Sequence, residues 1–236
     1  MWMHVSRSKS VKARETTHRL STDFVDIWRL ARRARMAVGC AAALLVSLAH
    51  AGGGPLGIDH KVHTTDSGIW ARNDQLYLEY ATLAAVVSGA LWEGGETRIG
   101  NTFWRAIDST VAGAVVSSGL KDVFTRSRPS QTDNPDEWFQ GTGHYSFPSG
   151  EVTFVSAAVT PFVLEYSEDH PSVWALELLP AYDAVARVKI GGHWQSDVLA
   201  GFALGTGTGY LAHKRDSPVI LEALPHGFMI GLKAKF

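Results

Sequence analysis

Five stretches of this chain place apolar residues at three-and-four spacing, and that period constrains the fold more than any other feature. They run near Gln75–Leu91, Glu96–Phe124, Ser149–Tyr166, Val173–Arg187 and Ser196–His213. Such spacing gathers the apolar side chains of each stretch onto one helical face. Gly-Gly pairs, prolines and polar clusters separate the stretches. Several are dense in small residues, as in ATLAAVVSGALW and DVLAGFALGTGTGYLA, and small side chains let helix axes approach closely. The expectation is an all-α fold, a bundle of five to six helices over 71–216. An extended arm over 52–70, rich in Gly, His and Thr, precedes it. The last twenty residues change period. VILEAL, a Pro225-His226-Gly227 break and FMIGLKAKF predict a short C-terminal β-hairpin over 217–236, packed against the bundle.

The formal net charge is −1 and 45% of the residues are hydrophobic, so the chain presents no polyanion-binding composition and nucleic acid is not an expected partner. Charge is uneven, however. A basic-rich stretch ending in RLARRAR runs into MAVGCAAALLVSLAHA, Met36 to Ala51. Basic, apolar and A-x-A segments in that order read as a secretory signal peptide cleaved near Ala51. Met36 is an alternative translation start, and an uncleaved form would be anchored in the membrane. The single cysteine, Cys40, falls within this leader, so the mature chain is expected to use no thiol or iron–sulfur chemistry. No mature stretch has 18 uninterrupted apolar residues, which favours a soluble or peripheral bundle over a spanning one.

Three segments carry chemistry. In KDVFTRSRP, Lys121 and Arg128 lie seven apart and Pro129 closes the segment; two cations on one side suit a doubly charged oxyanion. In SFPSGEVTF, Ser149 stands at a helix start, Gly150 leaves the first amides uncovered, and Glu151 follows. Helix N-termini bind anions through free N–H groups and the dipole, although capping by Ser149 and a first-turn acid explain the same residues. In ARVKIGGHWQSDVLAG, His193 follows a Gly-Gly break and Asp197 lies one turn on, close enough to hold the imidazole. Arg187 adds a third cation. No further His or acid follows at ligand spacing, so a metal pair is not expected.

Taken in order, the segments resemble the type 2 phosphatidic acid phosphatase superfamily, which includes acid phosphatases, lipid phosphatases and vanadium haloperoxidases. Its pattern is Lys-x6-Arg-Pro, Pro-Ser-Gly-His and Ser-Arg-x5-His-x3-Asp. The resemblance implies a site in the middle of a helical bundle and hydrolysis of phosphomonoesters or diphosphates. It assigns His193 as nucleophile, forming a phosphohistidine, and Asp197 as the group that orients it. Lys121, Arg128, Arg187, Ser149 and Gly150 would bind the phosphate. No cofactor is implied, with vanadate acting as a phosphate mimic or inhibitor. Two positions depart from the pattern. Ala186 replaces a serine, and Glu151 replaces the histidine that would protonate the leaving oxygen. Glu151 as general acid, His144 as the alternative donor, and a preference for good leaving groups such as diphosphates are all open at this point.

The expected partner is a phosphorylated lipid or small molecule in the periplasm or cell envelope, with membrane association. Trp138, Phe139, Tyr145 and Phe147 form either an apolar lip or a packing cluster. A vanadate-dependent haloperoxidase and a catalytically weakened envelope interaction protein are the competing readings.

Overall fold

The computed structural model describes residues 53–215, together with the backbone of 219–224 and 227–232. The leader, signal peptide and Cys40 lie outside the described residues. Five α-helices follow in order: α1 (Arg72–Glu93), α2 (Arg98–Phe124), α3 (Gly150–Tyr166), α4 (Leu178–Lys189) and α5 (Gln195–His213). The all-α expectation is met, and each apolar stretch becomes a helix. The strands Val219–Leu224 and Gly227–Leu232 pair antiparallel, with Val219 opposite Leu232.

Boundaries shift where local chemistry requires it. The stretch from Val173 to Arg187 divides into a 3-10 segment, Pro171–Glu177, and α4. Pro180 has no N–H and its ring collides with a carbonyl four residues back, so the α-helix begins at Leu178 and Pro180 falls in its first turn. α2 stops at Phe124 rather than continuing to Pro129. Thr125 turns left-handed at φ 33°, and the following residues pair with the loop after them: Phe139 N–H donates to Phe124 O and Ser146 N–H to Arg126 O.

α3 is the centre of the bundle. Its residues Val152 and Thr153, Val155 to Pro161, and Val163 are buried, as expected for a helix apolar on every side. It lies between α2 and α5, and glycines set the α3–α5 distance. A Cβ on Gly201 would meet Ser149 O at 2.5 Å, and one on Gly205 would meet Thr153 O at 2.3 Å. The main chains therefore touch where a larger side chain has no room. Apolar side chains also face outward. Tyr77, Tyr80, Leu83, Leu91 and Trp92 on α1 and Val111, Val115 and Val123 on α2 are all exposed. Among the described residues, no helix is long and apolar enough to cross a membrane.

The segment before α1 is tied to the bundle. Thr65 N–H donates to Lys189 O at 2.9 Å, and His60 and Gln195 exchange two hydrogen bonds, at 3.1 and 2.9 Å. Asp59, 3% exposed, reaches the interior.

Candidate active site

The loop Tyr145–Ser149, between α2 and α3, draws the three segments together through its own main chain. Lys121, on the last turn of α2, donates its Nζ to Tyr145 O at 2.9 Å and to Pro148 O at 2.6 Å. Arg128, on the loop past α2, donates to the same Tyr145 O at 3.4 Å and to Gly192 O at 3.2 Å. The two cations converge although only Lys121 is helical. Ser149 N–H donates to Asp197 O at 3.0 Å, fastening the start of α3 to the start of α5.

His193 stands on the two-residue lead into α5 and is 2% exposed. Its Nδ1 hydrogen bonds Ser146 O at 2.7 Å. A carbonyl only accepts, so Nδ1 carries the proton and Nε2 keeps its lone pair. Burial lowers the ring's pKa to about 4. Asp197 pulls the other way, and the charges of Arg187 and Lys121 lower it further. The imidazole is therefore neutral near pH 7, which a nucleophile requires.

Asp197 does not make the hydrogen bond to His193 that its spacing predicts. Its Oδ2 is 3.8 Å from Nδ1, because the Ser146 carbonyl has taken that proton. The carboxylate instead accepts from Ser146 Oγ at 2.5 Å, Trp194 N–H at 2.9 Å and Arg126 Nη1 at 2.6 Å. Burial raises its pKa, yet His193, Arg126 and Ser146 together hold it below the usual carboxylate range. Asp197 thus fixes the residue that fixes His193 and contributes a negative charge beside the ring.

Arg187 is on the last turn of α4, 4% exposed. A Cβ on Gly192 would meet its Nη2 at 2.8 Å, so the Gly191-Gly192 break is what lets the guanidinium lie against the His193 loop. Its Nη1 donates to Gln75 Oε1 at 3.2 Å and lies 3.3 Å from Glu151 Oε2, while its buried Nε has no partner. Ser149 Oγ is likewise buried and unpartnered and makes no capping bond to α3. This differs from the capping expected of a serine there. On α2, one turn before Lys121, Ser117 Oγ is a third such atom, 3.6 Å from where a Gly150 Cβ would be. Buried polar groups are normally satisfied, and these three surround the helix start where an anion is favoured. For Lys121, burial and the adjacent Arg128 lower the pKa to about 8.

Glu151 is a carboxylate clamped by a partner the sequence did not reveal. Arg72, at the start of α1, donates from Nη1 and Nη2 to Oε2 and Oε1 at 2.6 and 2.7 Å. Burial raises the Glu151 pKa, but the Arg72 fork and the Arg187 charge outweigh it and hold the group below its ordinary range. An ionised carboxylate has no proton to donate. His144, the other donor considered, shares a hydrogen bond with Ser127 Oγ at 2.9 Å through Nδ1.

A family model described as the PAP2 superfamily matches residues 102–217. Over these residues the chain is a PAP2 superfamily domain. Two curated relatives align with this chain over 111 residues, 46% of it. One is a lipid A 1-phosphatase of Porphyromonas gingivalis, 32% identical, with 22% of its length covered. The other is an undecaprenyl-diphosphatase of Sulfolobus acidocaldarius, 30% identical, with 52% covered. The chain therefore spans about half or less of these relatives. A crystal structure of a transmembrane PAP2 type phosphatidylglycerolphosphate phosphatase from Bacillus subtilis superimposes with a TM-score of 0.47 at 18% identity, over 62% of this chain and 76% of that one.

Within the PAP2 match fall all nine residues singled out by sequence: Lys121, Arg128, His144, Ser149, Gly150, Glu151, Arg187, His193 and Asp197. Arg72, Gln75 and Asp59 lie before it, on segments without a motif. Arg126 lies inside KDVFTRSRP, where charge spacing alone does not distinguish it from a surface cation. It is wholly buried, donating to Asp59 and Asp197 at 2.6 Å each. Of the four loop aromatics, Phe147 is buried and stacks edge-on with Phe124 and Trp138. Trp138 also lies under the Arg126 guanidinium, 4.3 Å from its ring centroid. That cluster is packing, and of the four only Phe139 is exposed, at 57%.

Proposed function

We propose that this chain is a phosphatase acting on phosphomonoesters or diphosphates of envelope lipids through a phosphohistidine on His193. The observation that carries the reading is the neutral, buried His193, with Nδ1 committed to Ser146 O, beside three cations and two unpartnered donors, Ser149 Oγ and Arg187 Nε. Nε2 attacks phosphorus as the P–O bond to the leaving group breaks. The electron pair departs on that oxygen, which leaves as a phosphate from a diphosphate or takes a proton from water when it leaves as an alcohol. Lys121, Arg128, Arg187, Ser149 and the Gly150 amide neutralise the oxygens as charge spreads in the transition state, the dominant requirement in phosphoryl transfer. Water then attacks the phosphohistidine and releases orthophosphate. The scheme uses no metal; the cations and the α3 N-terminus supply the field. Vanadate, a phosphate mimic, is expected to inhibit.

The lipid assignment rests on the relatives' names and on the apolar side chains exposed along α1 and α2, which suit association with a membrane face. Location in the periplasm or envelope, after cleavage near Ala51, belongs to the same proposal. The test is phosphate release from lipid monophosphate and diphosphate by the purified chain, with His193→Ala as control. Loss of release in His193→Ala, with trapping of a 32P-labelled phosphohistidine in the parent, is the expected result. Activity surviving in His193→Ala would overturn the mechanism.

A further inference from the structure

Arg72 is the least explained charge at the site. It enters on the first turn of α1, outside the superfamily match, yet its guanidinium forks onto Glu151 at the start of α3. Gln75, one turn along α1, accepts from Arg72 Nη1 at 3.4 Å and from Arg187 Nη1 at 3.2 Å. Glu151 Oε2 is likewise shared, 2.6 Å from Arg72 and 3.3 Å from Arg187. Two guanidiniums thus lie side by side, held there by one carboxylate and one amide oxygen. They differ in depth: the Arg187 side chain is 5% exposed and that of Arg72 is 34% exposed. Charge is graded outward from His193, first Arg187, then Glu151, then Arg72 at the solvent-facing side.

A substrate with one phosphate uses only the inner cations, and its ester oxygen must leave as an alkoxide or collect a proton. Glu151, locked in a charged fork, offers none. A diphosphate presents a different problem. Its bridging oxygen leaves on a phosphate monoester whose second ionisation lies near pH 6, so it departs at neutral pH without a proton. What it needs is a cation for the second phosphate, and a planar guanidinium with a fork geometry provides that.

We propose, resting on the phosphatase reading above, that Arg72 is a specificity-determining residue that binds the second, non-transferred phosphate of a diphosphate substrate, with Glu151 positioning it. His193 Nε2 forms a bond to the terminal phosphorus as the bridging P–O bond breaks. The bond's electron pair stays on the bridging oxygen, which leaves as part of the phosphate monoester dianion beside Arg72. Water then cleaves the N–P bond, giving orthophosphate and restoring the neutral imidazole.

The test compares a prenyl diphosphate with the prenyl monophosphate of the same chain length, by kcat/KM, on the full chain in detergent. The parent is expected to favour the diphosphate. Arg72→Gln is expected to lower kcat/KM for the diphosphate about 10- to 100-fold, the loss of one to two charge-assisted hydrogen bonds, while the monophosphate changes less than about 3-fold. Arg72→Lys should restore part of the diphosphate rate. Because Arg72→Gln leaves Glu151 without its fork, Arg72→Gln/Glu151→Gln is measured beside it, and the selective loss is expected to persist there. Equal losses on both substrates, or recovery of diphosphate hydrolysis in the double variant, would overturn the proposal. His193-dependent hydrolysis of the monophosphate alone would overturn it too and leave the phosphatase reading intact. Absence of His193-dependent hydrolysis of either would remove both.

Discussion

The Arg126 guanidinium and the Asp59 carboxylate meet at 2.6 Å, and neither side chain has any exposed surface. Asp59 also accepts from Ser196 N–H at 2.7 Å and Ser196 Oγ at 2.6 Å, capping the start of α5 from a segment that lies before α1. Arg126 passes the connection on to Asp197, and Asp197 to Ser146 and His193. Removing one partner of a buried ion pair strands the other charge, a loss of about 3–5 kcal/mol. Asp59→Ala is therefore expected to lower unfolding stability by about that much, measured by denaturant titration, and to reduce turnover with it. Arg126 Nη2 also donates to Pro135 O at 2.6 Å, and a loss below about 1 kcal/mol would show that Asp197 and this carbonyl satisfy Arg126 unaided.

The pH profile of kcat/KM should be governed at its alkaline end by Lys121. Its pKa, lowered to about 8 by burial and Arg128, means the amine loses its proton and its attraction for phosphate as pH rises through that value. His193, at about 4, charges only well below neutrality, so the nucleophile is available across the range between. The expected profile falls above about pH 8, and Lys121→Arg, charged at all accessible pH, should remove that fall. An alkaline limb unchanged in Lys121→Arg would assign it to another group.

Ser149 should separate stability from binding. Its Oγ is buried without a partner, so Ser149→Ala removes an unsatisfied group and is expected to leave stability within about 0.5 kcal/mol of the parent or raise it. Inhibition by orthophosphate or vanadate should weaken about 10-fold, as for one lost hydrogen bond to a charged ligand. A clear drop in melting temperature with unchanged inhibition would place the hydroxyl in the fold.

Close approach of α3 and α5 makes a matched pair of glycine substitutions informative. Gly201→Ala sets a methyl 2.5 Å from Ser149 O, a main-chain atom, whereas Gly207→Ala meets nothing within 4 Å. The first is expected to cost about 1–3 kcal/mol by overpacking and to lower kcat/KM, because the atom displaced belongs to the turn proposed to bind phosphate. The second is expected to be neutral or to stabilise by up to about 1 kcal/mol through helix propensity. Calorimetry on the two variants checks both.

Periodicity and three short segments were enough to place the helices and to bring Lys121, Arg128, Ser149, Arg187 and His193 to one site. What they missed follows a physical pattern. The Ser146 carbonyl that holds His193 is main chain, and a main-chain acceptor leaves no mark on residue identity. Asp59, Arg72 and Gln75 act across 67 to 137 positions of sequence, where no spacing rule connects them. Arg126 looks like one more solvated cation in KDVFTRSRP until the Pro135 carbonyl and the Trp138 ring close against its guanidinium. Glu151 was legible as a departure, but its ionisation depends on Arg72, which only the packing of α1 beside α3 supplies.

The carbonyls of Tyr145, Ser146 and Pro148 hold Lys121, Arg128 and His193, and none of these bonds involves the side chain at position 151. A frame built of peptide groups is indifferent to which side chain is attached beside it. Residue 151 can therefore be exchanged, carboxylate for imidazole, while Lys121, Arg128 and His193 keep their places; the two guanidiniums that touch Glu151, Arg72 and Arg187, are the ones such an exchange would release. The chemistry offered at position 151 can thus change while the peptide frame around Lys121, Arg128 and His193 stands.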